Sequence, residues 1–411
     1  MLSVPIVFRL RRQTRAGRIA TVVAAGIAVT VALAACSSSS NSASTSTSKS
    51  TSSTGSSASA GGSSASRQVN IALTSKACTP EHASYNSGPL TFVVKNTDAT
   101  AVSEIEVLSQ DRILGEKENL APGFSGTFSI QLSAGKYTVY CPGADTEKNT
   151  LTVTGTSAPI VSTTHGLLVQ GADGYLTYVR SQVSGLTASV ATLNRAIQAG
   201  NLKAAQVAYA KARPYYERIE PVAESFPALD AAIDLRADDT PITKITGFHR
   251  LEYGLFTKKS MTGLAPLSTG LVANVKKLST LVAKLTGFQP AELANGAVGL
   301  LDEAAKNKIT GEEERYSHID FVDFAANIEG SQQAFAFLEP GLNKIDPVLT
   351  KRIKTAFAAV QKLVQTERDP AQPSGYRLYD DVPKTDITAL SHALLAVSEP
   401  LSTVAGKVVK A

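Results

Sequence analysis

Leu90, Phe92 and Val94 alternate with Thr91, Val93 and Lys95, and the same period-two pattern returns twice further on. Phe128, Ile130 and Leu132 alternate with Ser129 and Gln131, and Tyr137, Val139 and Cys141 alternate with Thr138 and Tyr140. Each run gives a strand one buried face. Ser87-Gly88-Pro89, Ala121-Pro122-Gly123 and Ala134-Gly135 fall between the runs as turn signals. Short strands at this spacing over residues 67–155 predict a β-sandwich. Residues 155–164 form a linker that contains Pro159, and from there the period becomes helical. Leu186, Val190, Leu193 and Ile197 illustrate the spacing. Breaks are expected near Gly200, Phe226-Pro227, Thr240-Pro241, Gly287, Thr310-Gly311, Pro340, Asp369-Pro370 and Pro383. Residues 165–411 should therefore pack as an all-α antiparallel bundle of roughly seven to nine helices.

The N-terminus places the chain. Arg9, Arg11, Arg12, Arg15 and Arg18 precede an apolar run over residues 19–35, which ends in Leu33-Ala34-Ala35-Cys36. Small residues before a cysteine resemble a bacterial lipobox, so residues 1–35 read as a lipoprotein signal and Cys36 as the lipid-anchored first residue. A plain membrane anchor is the alternative, but the run is short for a bilayer. Residues 36–66 are almost entirely Ser, Thr, Ala and Gly, too poor in apolar surface to fold, and read as a tether. The chain carries 40 Lys+Arg against 35 Asp+Glu. The five signal arginines account for that excess, so the exported part is neutral. A nucleic-acid binder needs a retained basic footprint, and this chain lacks one.

Cys78 and Cys141 are the remaining cysteines. Outside the cell such a pair reads as a disulfide, with metal ligation as the alternative. A blue-copper site also needs two histidines and an axial ligand, and the β domain's one histidine is His82. Glu104 and Glu106, two residues apart, share a strand face. In the helical part, His249 and Glu252 stand three apart, with Ile245 and Phe256 on nearly the same line, so they interrupt an apolar face. A buried carboxylate needs a partner, which a metal, an ion pair or hydrogen bonds would supply. Glu217 and Glu220 are likewise three apart, beside the helix-bending Pro214. Paired acids on one helix and His-x-x-Glu on another can line one bundle cavity, a donor set suited to iron. Asp320, Asp323 and Asn327 form one helix side and Phe321, Phe324 and Ile328 the other; the polar side is either an element lining the site or, the reading preferred, the wet face of an amphipathic helix.

Four segments in order resemble the EfeO family of bacterial Efe iron-uptake systems: Glu118-Asn119-Leu120-Ala121-Pro122-Gly123-Phe124, Arg213-Pro214-Tyr215-Tyr216-Glu217-Arg218-Ile219-Glu220-Pro221, Arg236-Ala237-Asp238-Asp239 and Gly247-Phe248-His249-Arg250-Leu251-Glu252-Tyr253. The resemblance implies a cupredoxin-like β-sandwich followed by an imelysin-type helical domain. It implies an extracytoplasmic protein that binds iron, Fe3+ or Fe2+, and feeds an EfeU-like membrane permease, with an EfeB-like haem peroxidase as companion. It places one metal on His249 and Glu252, with Glu217 and Glu220 beside them. A second, iron or copper, falls on Cys78, Glu104 and Cys141, with Glu106 the close alternative to Glu104. Two rival functions stand beside this one. The first is a metal-dependent peptidase of the imelysin type, although a zincin needs a second histidine where this chain has Tyr253. The second is a structural cell-surface lipoprotein. No hydrolase activity is expected.

Overall fold

In the computed structural model, the described residues are 67–110, 112–118, 120–156, 162–237, 240–306 and 308–411. The signal, Cys36 and the tether lie outside them, as do Asn119, Asp238 and Asp239 of the quoted motifs.

Nine strands come first: β1 (Arg67–Leu73), β2 (Cys78–Pro80), β3 (Ser84–Asn86), β4 (Gly88–Asn96), β5 (Ile105–Ser109), β6 (Arg112–Lys117), β7 (Ser125–Leu132), β8 (Gly135–Tyr140) and β9 (Lys148–Thr154). They form two sheets, ordered β2-β1-β4-β7 and β3-β9-β8-β5-β6. β1 runs parallel to β4 and β3 parallel to β9, while the other pairs are antiparallel. The alternating residues do what their period requires. Leu90, Phe92 and Val94 from one sheet and Val107, Val139 and Leu151 from the other share a single buried core. Phe92 and Phe128 stand opposite in register and stack with ring centroids 4.8 Å apart. Cys78 on β2 and Cys141 just after β8 are joined as a disulfide, Cα to Cα 6.2 Å, which ties one sheet to the other. Asn96 explains part of the Leu-Ala-Pro-Gly-Phe motif. Its buried amide donates to the carbonyls of Ala99, Val102 and Leu120, and its own carbonyl accepts from Gly123.

The helices follow: α1 (Thr163–Gln198), α2 (Leu202–Glu217), α3 (Glu220–Ala223), α4 (Pro227–Asp234), α5 (Gly247–Glu252), α6 (Leu264–Lys284), α7 (Pro290–Lys306), α8 (Asp320–Ile345), α9 (Pro347–Thr366), α10 (Lys384–Leu401) and α11 (Val404–Val408). α1, about 54 Å long at 1.5 Å per residue, is capped by Ser162, whose hydroxyl accepts from the His165 N–H. Its stripe of Leu168, Ala172, Tyr175, Val179, Val183, Leu186, Val190, Leu193 and Ile197 is buried against α2, α6 and α8. The break expected at Pro340 does not occur, since α8 runs through it. The lost backbone bond costs about 3 kcal/mol and is offset by burial of Phe335, Leu338 and Leu342 on both sides of the proline. Asp320, Asp323 and Asn327 are also corrected: all three are fully buried, so the expected wet face of α8 points inward.

The domains meet along β6 and β7, which pack on α7, and β7 also touches α11. The N–H of Ile113 on β6 donates to the Ser225 carbonyl at 3.2 Å. Asn295 donates to the Ser129 carbonyl, and Arg112 pairs with Glu292 and lies over the Phe288 ring.

The disulfide closes a span of 63 residues, for which chain-entropy arguments give about 4 kcal/mol of stabilisation. Thiol titration of unreduced protein carrying Cys36→Ser should therefore find no free sulfhydryl. Replacing both Cys78 and Cys141 by Ser should lower the denaturant midpoint accordingly; a reactive thiol or an unmoved midpoint contradicts the pairing.

Candidate metal centre

Gly247 sets the geometry of the site. Its φ is +80°, and a Cβ there would collide with the Ile233 carbonyl on α4. Only glycine lets α5 start this close to α4. The approach brings His249 on α5 to Asp234, the last residue of α4, with Nε2 3.4 Å from Asp234 Oδ1. A π turn over Tyr253–Thr257 follows α5. The wider turn shifts the buried position from Phe256, which the helical line predicted, to Leu255.

His249 and Glu252 converge as expected: Nδ1 lies 3.1 Å from Glu252 Oε2. The other Glu252 oxygen accepts two backbone bonds, from the N–H groups of Tyr316 and Ser317, each at 2.7 Å. A carboxylate anchored in this way fixes the ring by accepting a hydrogen bond from Nδ1–H, leaving the Nε2 lone pair free to bind. Nε2 is buried without a hydrogen-bond partner and faces Asp234 and, at 3.8 Å, Glu313 Oε1. His249, Asp234 and Glu313 offer ligand atoms within 4.8 Å of one another, as do His249, Glu252 and Glu314. An imidazole nitrogen with no partner among carboxylates is a donor set that a hard or borderline cation fits.

Glu217 and Glu220 do not complete that shell. Both are buried, but cationic side chains hold them. Arg213, one turn before Glu217, is fully buried and pairs with Glu217 at 2.5 Å, Glu314 at 2.8 Å, Glu313 at 3.1 Å, Asp323 at 3.3 Å, and Asp234. Its guanidinium also lies 5.2 Å from the centre of the Phe248 ring. Lys308 grips Glu220 at 2.5 Å and Glu217 at 3.2 Å. Glu217 groups with Glu313 and Asp323, one step from His249, whereas Glu220 groups with Glu224 and Glu303, a step further out.

Asp234, Glu313, Glu314, Arg213 and Lys308 were not anticipated as site residues. Glu312-Glu313-Glu314 reads as a solvated run, yet only Glu312 faces water. The available signal was Arg213 four residues before Glu217 on a face otherwise apolar.

In the β domain, the disulfide takes both sulfurs out of the ligand set expected with Glu104. Glu104 instead lies with Glu116 and Glu118, their oxygens within 4.8 Å. Glu106 pairs opposite Glu116 across β5 and β6. Burial first, then the charges of Glu104 and Glu118, push its carboxyl up to about 9.

The chain resembles known proteins along most of its length. Residues 171–404 match the imelysin family, which is named as a peptidase family, and residues 26–153 match the cupredoxin-like domain. The iron uptake system component EfeO of Escherichia coli strain K12 is 35% identical over 345 residues, 82% of this chain and 91% of its own. The proteins of that name from Shigella flexneri and from Escherichia coli O1:K1 match with the same identity and coverage.

The carboxyls of the helical centre outnumber its cations, and the excess shows in their ionisation. Burial raises Asp234 and Glu252 to about 7 and Asp320 to about 6. Glu220, Glu314 and Asp323 are raised well above the usual carboxylate range for the same reason. Glu313 is lowered despite its burial, by Lys308 and then Arg236. Burial also lowers His249. A carboxyl raised on folding binds its proton more tightly in the native state, so its contribution to stability falls as pH rises from about 4 towards 7. His249 acts in the opposite sense, but as one group against several. The metal-free chain should therefore melt at progressively lower temperature between pH 5 and pH 7.5, and added cation should flatten the decline. Calorimetry showing a rise across that interval contradicts this charge balance.

Proposed function

This chain belongs to the EfeO family, and from that premise we propose that it is an extracytoplasmic, lipid-anchored iron-binding protein that delivers iron to a membrane permease. The observation that carries the reading is the unpartnered, buried Nε2 of His249 facing Asp234 and Glu313. The iron is cargo. Nε2 and those two carboxylates would hold it, with Glu252 fixing the ring from behind. The imidazole supplies a neutral donor, and the carboxylates supply negative charge that cannot be satisfied by Arg213 and Lys308 alone.

Loading requires the raised carboxyls to give up their protons, so capture strengthens as pH rises and release is favoured as it falls. In the β domain the donors that cluster outside the disulfide, Glu104, Glu116 and Glu118, are carboxylates, a set suited to iron rather than to copper. Among the described residues no helix is long and apolar enough to cross a membrane. Attachment through Cys36 would hold the chain at the membrane surface, where a permease of the EfeU type and a haem peroxidase of the EfeB type would meet it.

The peptidase name of the imelysin family motivates a second reading. A second histidine ligand after Glu252 is replaced by Tyr253, whose ring packs edge-on against Tyr316 at 5.1 Å. His318, nearby in sequence to the Tyr316 and Ser317 amides, is turned instead to Asp380 at 3.4 Å. The pocket therefore has one imidazole and a carboxylate already committed to three contacts, which suits holding an ion better than activating water on it.

Two experiments follow. Full-length exported protein titrated with iron should lose on the order of 100-fold in affinity with His249→Ala and about 10- to 100-fold with Glu252→Gln, the range for a residue that orients a metal-bound imidazole. Unchanged affinity in His249→Ala removes the site. Incubation with peptide libraries and added Zn2+ should release no fragments, and turnover lost in His249→Ala establishes the peptidase instead.

A further inference from the structure

Lys308 is a fully buried ammonium whose setting is that of a bound cation. Its Nζ lies 2.5 and 2.6 Å from the two oxygens of Glu220, 3.2 Å from Glu217 Oε2 and 3.7 Å from Glu313 Oε1. Asn327 closes the arrangement, its amide donating at 2.8 Å to Glu217 Oε2 and at 2.8 Å to Glu220 Oε2. A carboxylate gripping with both oxygens, a second carboxylate alongside and no water exposure form a seat that a hard metal ion would otherwise fill. The lysine is anchored from the backbone side as well. It opens a short 3₁₀ turn, Lys308–Thr310, whose Ile309 carbonyl accepts from the Tyr379 hydroxyl at 2.8 Å.

The position matters as much as the contacts. Glu217 belongs to the inner group with Glu313 and Asp323, one step from His249, while Glu220 belongs to the outer group with Glu224 and Glu303. That outer group faces the β domain: the charges of Glu116 and Glu118 act on Glu224, and β6 is bonded to the Ser225 carbonyl beside it. The ammonium thus stands where the inner and outer carboxylates meet.

We propose that Lys308 is a tethered counter-ion that denies Glu217 and Glu220 to metal and so restricts the inner group of carboxylates to the single ion at His249. It is a specificity residue that acts by occupying a seat. The idea rests on the His249 pocket being the ion site, and its test separates the two. Removing the ammonium leaves Glu220 without a cation and Glu217 with Arg213 alone, and a free cation should take the vacated place between the two carboxylates.

The test is anaerobic titration of the full exported chain with Fe2+ at pH 7.5, counting bound ions by calorimetry and by metal analysis after desalting. Lys308→Met should bind one ion more than the unaltered protein. Lys308→Arg, which retains a cation, should bind no more than the unaltered protein. Adding Glu217→Gln and Glu220→Gln to Lys308→Met should remove the extra ion. Equal stoichiometry in Lys308→Met and the unaltered protein overturns the proposal, whether that number is one or zero. An unaltered protein that binds nothing, beside a Lys308→Met that binds one ion, overturns the His249 reading and keeps this one. If Lys308→Met does not fold, Glu220→Gln decides. Its neutral amide should leave binding by the otherwise unaltered chain within about threefold, and loss of the bound ion overturns the proposal.

Discussion

Arg213 carries one positive charge into a region that no water reaches, and five carboxylates from four segments of chain turn towards it. A buried guanidinium is tolerable only when its donors are met, and buried carboxylates only when something positive is near. Neither condition can be satisfied within one helix. Arg213 and Glu217 come from α2, Asp234 from α4, Glu313 and Glu314 from the segment before α8, and Asp323 from α8 itself. The electrostatics therefore define the relative placement of these segments, and the apolar stripes that pack α1 against α2 and α8 fill the space around them. The surroundings of His249 inherit their rigidity from the same charges: Asp234 and Glu313, which face the imidazole, also pair with the guanidinium.

Rigidity and charge excess work against each other here. Fixing many carboxylates around two buried cations and one imidazole leaves negative charge that the protein does not neutralise by itself. Protons absorb the excess, which is why burial raises the carboxyls of Asp234, Glu252 and Asp320. The backbone bonds from Tyr316 and Ser317 to Glu252 hold the carboxylate that fixes the imidazole, so its orientation does not depend on the ionisation of Asp234.

Much of this was legible in the sequence. The alternation of Leu90, Phe92 and Val94 and the helical spacing of Leu186 to Ile197 needed no structure to interpret, and His249 with Glu252 stood out because they interrupt an apolar line. The remainder was hidden for a physical reason. A charged residue compensated from a distance looks the same in sequence as one compensated by water. Asp323 and Asn327 read as part of a wet face because their partners, Arg213 and Glu217, lie about a hundred residues away, and Asp320 because its partner is a backbone N–H, that of Glu314. Glu313 and Glu314 sit in a run of three acids that resembles a solvated loop. Pro340 signalled an end to α8, but packing on both sides of it outweighs one missing hydrogen bond. The ligand role expected of Glu217 and Glu220 missed Lys308, which in the sequence is one of two lysines two residues apart, about ninety residues from the acids it pairs with.

β6 is the outermost strand of its sheet, and an uncovered strand edge is a template for pairing with other chains. Here the Ser225 carbonyl takes the Ile113 N–H, and α7 lies along the strand. The helical domain thus caps this edge against pairing with neighbouring chains. A sandwich severed from its bundle would bare that edge and be more prone to self-association, so physical linkage of the two halves protects solubility.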